Sequence, residues 1–236
     1  ECSDTEFSTW CLYTKWHTDC EDIQALPYID TFEEYATKAV PNCWSQITDT
    51  YTDNSRGQCS GTSTATATVS KSTDDGQYLY ITYGDAGCSK KGAAKAITPK
   101  LDITSFKDVV LYFDARTSSY RSGVELLIEA VESPALEANA IAITTIKNVS
   151  QDWITYYLDL ADYYESAQSY QYLRFTPSVG SVFMDNIHIT TNRMEIIPVQ
   201  KLALVSVQET SATFSFEDAT PRVKQWVVEY GPKGFT

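Results

Sequence analysis

From residue 64 to residue 189 the chain is a succession of short segments rich in β-branched and aromatic residues, divided by turn formers, with no long helical period among them. Residues 64–69, 78–83, 109–113, 124–131, 141–146, 153–158, 173–175 and 182–189 read as about eight strands. So many short strands without intervening helices predict an all-β fold, a sandwich or jelly roll, and argue against a parallel α/β sheet. Two short helical turns are expected, at 32–40 ahead of Pro41 and at 160–168.

The chain has 236 residues, 43% of them hydrophobic and 21% charged, enough for a real core. No stretch approaches the roughly 18 apolar residues of a membrane span. Lys and Arg number 18 against 31 Asp and Glu, a net charge of −13 that would repel nucleic acid and anionic membrane surfaces. The only histidines are His17 and His188, which excludes chemistry needing several imidazoles.

Six cysteines, Cys2, Cys11, Cys20, Cys43, Cys59 and Cys88, fall within the first 88 residues without a C-x-x-C pair. An even number at wide spacings favours disulfides and an oxidising compartment, the alternative being six buried thiols. Among the 15 possible pairings, short loops favour Cys2–Cys11, Cys20–Cys43 and Cys59–Cys88. The chain opens Glu1-Cys2-Ser3-Asp4 without a signal peptide, and its true start is expected to have been removed, by processing or by where the sequence was cut. Past Thr190 the polar run 191–193 marks a boundary, after which 199–204, 211–216 and 226–230 read as three strands. Three strands make a poor independent core, so this end reads as a truncated module. Residues 1–20 are too short for a domain, yet aromatic for a linker.

Four stretches then carry a family resemblance. Leu26-Pro27-Tyr28-Ile29-Asp30-Thr31-Phe32-Glu33 with Pro41-Asn42-Cys43-Trp44, Ala96-Ile97-Thr98-Pro99-Lys100-Leu101-Asp102, Trp153-Ile154-Thr155-Tyr156-Tyr157-Leu158-Asp159-Leu160, and Phe183-Met184-Asp185-Asn186-Ile187 resemble, in order, the motifs of cleaved-adhesin and MAM-like jelly rolls of bacterial surface proteins. They cover residues 21–192. Residues 193–236 resemble strands A, B and C of a fibronectin type III domain, with Phe216 where that family usually has Trp, and 1–20 resemble the end of an upstream fibronectin-like module. The resemblance implies a galactose-binding, carbohydrate-binding-module-like jelly roll in a tandem array. It would be monomeric and extracellular or at the cell surface, non-catalytic, and bind glycan or protein. The alternative is a structural spacer or accessory domain of a secreted peptidase or glycosidase. It further implies a structural calcium held by Glu33 and Asp185, with carbonyl oxygens and either Asp30 or the 57–60 loop completing the shell, although Thr31 replaces an Asp usual in the motif. The plainer reading has Glu33 and Asp185 accept hydrogen bonds from turn amides.

No H-E-x-x-H, G-x-S-x-G or G-x-G-x-x-G motif is present. Gly87 and Gly92 have P-loop spacing, but Ala93 and Ala94 stand where the phosphate-binding Lys and the hydroxyl belong. His188 should face away from Ile187 and Ile189, as a solvated strand histidine rather than a base. Acid pairs such as Asp74-Asp75 and Glu33-Glu34 read as solvated. Tyr156, Tyr157, Tyr163, Tyr164, Tyr170 and Tyr172 crowd near Trp153 and suggest sugar stacking, but alternation places Tyr156 and Leu158 on one face and Tyr157 and Asp159 on the other. Trp44 reads as core packing. The small polar and aromatic loop 117–123 offers Tyr120 and Arg121 as ligand-binding residues, or is a plain hairpin turn.

Overall fold

The computed structural model describes residues 23, 26–55, 58–84, 88, 90–101, 108–118, 122–160, 170–191, 200–208 and 211–217. In chain order the strands are β1 (Tyr28–Asp30), β2 (Ser45–Ile47), β3 (Asp49–Ser55), β4 (Gln58–Ala65), β5 (Ala67–Ser72), β6 (Gly76–Ile81), β7 (Tyr83–Gly84), β8 (Gly92–Ala93) and β9 (Lys95–Ile97). They continue with β10 (Val110–Thr117), β11 (Glu125–Val131), β12 (Ala140–Ile146), β13 (Ile154–Asp159), β14 (Tyr172–Ser178), β15 (Val182–Thr190), β16 (Gln200–Val207) and β17 (Ala212–Glu217).

Each of the eight predicted strand segments is extended, and single residues, Thr66 and Thr82, split the first two between neighbouring strands. The segments assemble into an all-β sandwich. A six-stranded sheet runs β13-β10-β15-β6-β5, with β1 also on β15, and a five-stranded sheet runs β12-β11-β14-β9-β2. Alternation decides which side chains meet between them. Leu111, Phe113 and Ala115 of β10 and Met184, Ile187 and Ile189 of β15 point inward toward Leu126 and Ile128 of β11 and Leu173 and Phe175 of β14. Phe113 meets Phe175 edge-on at 5.8 Å, joining the sheets at their centre.

The β3–β4 hairpin lies against β7 and β8, and the disulfide Cys59–Cys88 ties β4 to the segment between them. Gly92, half of the P-loop-like spacing, is a packing residue here, since a Cβ on it would come within 2.8 Å of the Thr50 carbonyl. Cys43 is disulfide-bonded too. The proposed pairings Cys2–Cys11 and Cys20–Cys43 involve residues outside those described.

The helix expected at 32–40 is absent. Phe32 and Lys38 have positive φ, 58° and 69°, which a right-handed helix cannot hold. The segment bonds instead to the edge of β5, Lys38 N donating to the Val69 carbonyl and Val69 N to that of Ala39, 2.7 and 2.8 Å. An unpaired sheet edge outcompeted two turns of helix. Residues 161–169, most of the second expected turn, lie outside the described set. Beyond residue 199, β16 and β17 form an antiparallel hairpin, while the expected strand at 226–230 and all of 1–20 also lie outside it. Among the described residues no helix is long and apolar enough to cross a membrane.

Candidate functional site

The opening motif builds a buried carboxylate hub. Asp30, 6% exposed at the end of β1, accepts at Oδ2 from the Tyr28 hydroxyl (3.1 Å), the Tyr35 hydroxyl (3.1 Å) and Trp44 Nε1 (2.9 Å). Its Oδ1 accepts the Phe32 amide at 3.0 Å. Burial raises the Asp30 pKa and the four donors oppose that rise. Burial together with the neighbouring carboxylate pushes the Tyr28 and Tyr35 hydroxyls well above the ordinary phenol range. Trp44 is buried as expected, against Phe32 at 5.7 Å and Phe175 at 6.4 Å. Three donors crowd Oδ2 and one meets Oδ1, so of the four or so lone-pair directions on the carboxylate at most one, on Oδ1, is open.

A few ångströms along the same sheet the chemistry changes. Along one edge β15 pairs first with β6, at residues 182–184, and then with β1, at 187–189. Asp185 and Asn186 stand where the partner changes, and Asn186 adopts φ 50° in a bulge opposite β10. Asp185 lies directly across from Asp114 in the register. Asp114 accepts from the Thr155 hydroxyl (2.5 Å) and the Asn186 side-chain amide (2.8 Å), and Asp185 Oδ1 accepts the Asn186 backbone amide (2.7 Å). Glu33 arrives over the start of β6, where its Oε1 accepts the Gln77 amide at 2.9 Å and sits against Gly76, whose φ of 73° and missing Cβ admit it. Burial, with the charges of Asp114, Glu33 and Asp30, lifts the Asp185 carboxyl to about 7.

The fold thus brings the two proposed calcium ligands into one electrostatic neighbourhood. Each accepts a main-chain amide, Asp30 is engaged by four donors, and among the described residues no three His, Cys, Asp or Glu side chains gather as a metal-holding group. This donor set falls short of a closed calcium shell, which takes six to eight oxygens.

Next to the acids, the outer face of the six-stranded sheet is lined with rings. Outward positions of β10, β15 and β6 carry Arg116, Phe183, Tyr78 and Tyr80, and Trp153 stands just before β13. Phe183 stacks on Tyr80 at 4.9 Å and 19°, and Tyr78 meets Phe183 and Trp153 edge-on at 5.3 and 6.0 Å. The Arg116 guanidinium lies 4.5 Å from the Phe183 ring and 5.1 Å from that of Trp153. Asp75 fixes it through Nη2 at 2.9 Å. Burial pushes the Asp75 carboxyl up, but hydrogen bonds from Trp153 and Ser72 and the Arg116 charge outweigh that and hold it below its usual range.

On the other side of the acids, Tyr112 sits between Tyr157 at 5.1 Å and His188 at 6.0 Å. His188 faces outward, as alternation requires, and partial burial lowers its pKa. Tyr156 points inward onto Phe113, so the expected split of the neighbouring tyrosines holds. Tyr163, Tyr164, Tyr120 and Arg121 lie outside the described residues. Sequence reasoning missed Asp114, Arg116, Phe183 and Tyr80. Alternation gives the direction of each within its own strand; what was hidden is that β6, β15, β10 and β13 stand side by side.

No protein-family model matches the sequence, and no curated protein is similar to it. In three dimensions the chain is similar to the K1 cleaved adhesin domain of Lys-gingipain from Porphyromonas gingivalis W83, with 13% identity, TM-score 0.48, and coverage of 71% of this chain and 99% of that one. It is similar also to the K2 cleaved adhesin domain of Lys-gingipain, with 10% identity, TM-score 0.49, and coverage of 70% and 99%. The C-terminal family 22 carbohydrate-binding module of Clostridium thermocellum Xyn10B has 14% identity and TM-score 0.40, with coverage of 72% and 96%.

Proposed function

We propose that the chain is a non-catalytic extracellular binding module that seats a glycan on the outer face of its six-stranded sheet. One observation carries the reading. Trp153, Phe183 and Tyr80, half-buried, stand in one row across the outer face, with the Arg116 guanidinium, held by Asp75, between Trp153 and Phe183. A row of side chains held this rigidly loses little freedom when a sugar packs along it. The disulfide Cys59–Cys88, the bonded Cys43 and the absence of free thiols among the described residues support an oxidising, extracellular setting.

The Asp114–Asp185 pair would have to supply a general acid and a nucleophile if the face were catalytic. Both Asp114 oxygens are engaged by Thr155 and Asn186, and His188 faces Tyr112 rather than a nucleophile. For calcium we propose weak occupancy at Glu33 and Asp185, the field of the neighbouring acids attracting the ion and the sparse donor set limiting its affinity.

A glycan array probed with the full chain tests the reading. Selective binding that is lost in Trp153→Ala and Phe183→Ala, with bound oligosaccharide recovered intact, is expected. Uniformly negative arrays from folded protein would overturn it, and hydrolysis of the bound sugar would overturn its non-catalytic part.

A further inference from the structure

The outer face of the five-stranded sheet carries polar groups that the fold leaves unanswered. Leu173 and Phe175 of β14 turn into the core, so alternation turns Arg174 and Thr176 outward. Arg174 lies across from Glu129 of β11 on one side and Ile97 of β9 on the other, and Thr176 lies across from Leu127. The β9–β14 register carried one residue further sets Lys95 beside Thr176. Arg174 is only 5% exposed, and its Nε donates to Glu129 Oε2 at 2.8 Å. Its Nη1 is buried without an acceptor, and the Thr176 hydroxyl oxygen is buried without a partner. Among the described residues the half-buried Lys95 makes no ion pair.

Unmet buried donors cost stability, and an acceptor brought to them would remove that cost. Lys95 and Arg174 set against Glu129 leave one local positive charge in a chain whose net charge is −13. That balance suits a singly charged oxyanion, to which guanidinium, ammonium and hydroxyl can all donate. The carrier follows from the topology. β14 is hydrogen-bonded on both sides, to β11 and to β9, so its backbone offers nothing to the main chain of an acidic peptide. A sugar instead brings hydroxyls together with its acidic group, and the outward Glu129 carboxylate and Tyr172 hydroxyl are side-chain partners for them.

We infer that the outer face of the five-stranded sheet binds an acidic saccharide, its carboxylate or sulfate ester held by Arg174, Thr176 and Lys95. The site lies on the other sheet from the row of Trp153, Phe183 and Tyr80 and is tested apart from it.

The test is titration calorimetry of the full chain with a trimer of α-1,4-linked galacturonic acid, with its uncharged methyl-esterified counterpart, and with a galactose trimer sulfated once per residue. At least one acidic trimer is expected to bind about tenfold or more tightly than the uncharged one, the gap closing as salt screens the charges, and the tighter of the two acids names the group. Lys95→Gln and Thr176→Val are each expected to weaken that binding about threefold or more. Thr176→Val is expected at the same time to leave the melting temperature unchanged or to raise it, because it deletes an unmet buried hydroxyl. Trp153→Ala should leave the acidic trimer bound as before, whatever it does to ligands of the six-stranded face. Equal affinity for acid and ester, or binding of none of the three by folded protein, would overturn the inference. Loss of the acidic trimer in Trp153→Ala would place the sugar on the other sheet and overturn it too. If triglutamate bound as tightly as the acidic trimer, the occupant would be an acidic peptide, and the inference would fall on that result.

Discussion

Asp30 and Asp185 belong to one sheet and one electrostatic neighbourhood, yet they are opposite uses of a carboxylate. Asp30 is buried and meets four donors; Asp185 is half-exposed and meets one backbone amide and the charges of other acids. A buried carboxylate persists only when its lone pairs are filled, and then it is architecture. A donor-poor carboxylate beside like charges keeps its attraction for whatever cation arrives, and that is binding capacity. The saturation of donors, more than the density of acids, separates hub from site.

The sharpest break of this comparison is Asp30→Asn. The amide would turn a donor toward groups that themselves donate, so a loss of about 3–5 kcal/mol in denaturant unfolding is expected. A loss below about 0.5 kcal/mol would mean that the hub is incidental. Trp44→Phe deletes a single donor and some ring area, and about 1–3 kcal/mol is expected by the same measurement.

Asp185→Asn should act in the opposite sense. Because the folded carboxyl titrates at about 7 against an ordinary 3.8, the folded chain keeps a proton that the unfolded chain releases between those values. Stability from this group is therefore greatest at the acid end and falls as pH rises from about 4 to about 7. At pH 8 Asp185→Asn is expected to stabilise the fold by on the order of 1 kcal/mol, discounted for solvent screening of a half-exposed group, and to be neutral near pH 4. Thermal melts across pH check this, and equal pH dependence in the variant and the parent would remove Asp185 as its source. Calcium should give the smallest effect. At about 5 mM, a site with Kd on the order of 1 mM adds roughly 1 kcal/mol at most, and Asp185→Asn should abolish it. A chelator-insensitive melt would eliminate the ion.

The hub and the face were unequally legible. Asp30 and Trp44 lie 14 residues apart in the motif that carries the family resemblance, and the burial of Trp44 followed from its aromatic character. The hub itself has no local signature, because in the motif Asp30 is as compatible with a calcium ligand as with an acceptor for Trp44. The short segment 32–40 misled because its composition permits a helix, while the edge of β5 offered hydrogen bonds that no local pattern reveals. Asp114 and Asn186, hydrogen-bonded across 72 residues of sequence, left no local trace of their meeting.

By itself the sequence determined that the chain is built of strands, where those between residues 109 and 189 run, and which side chains of each share a face, because a strand's period of two is a local property of the backbone, while the short strands β1, β2, β3, β8 and β9 were not among the predicted segments. It also determined the acidity of the surface, through composition alone. Only the tertiary structure decided that β15 changes partner at Asp185, that Asp114 stands opposite it, and that Arg116 lies between Trp153 and Phe183. Strand order and register are set by how two inner faces pack into one core, a sum over distant segments that no single stretch of sequence contains.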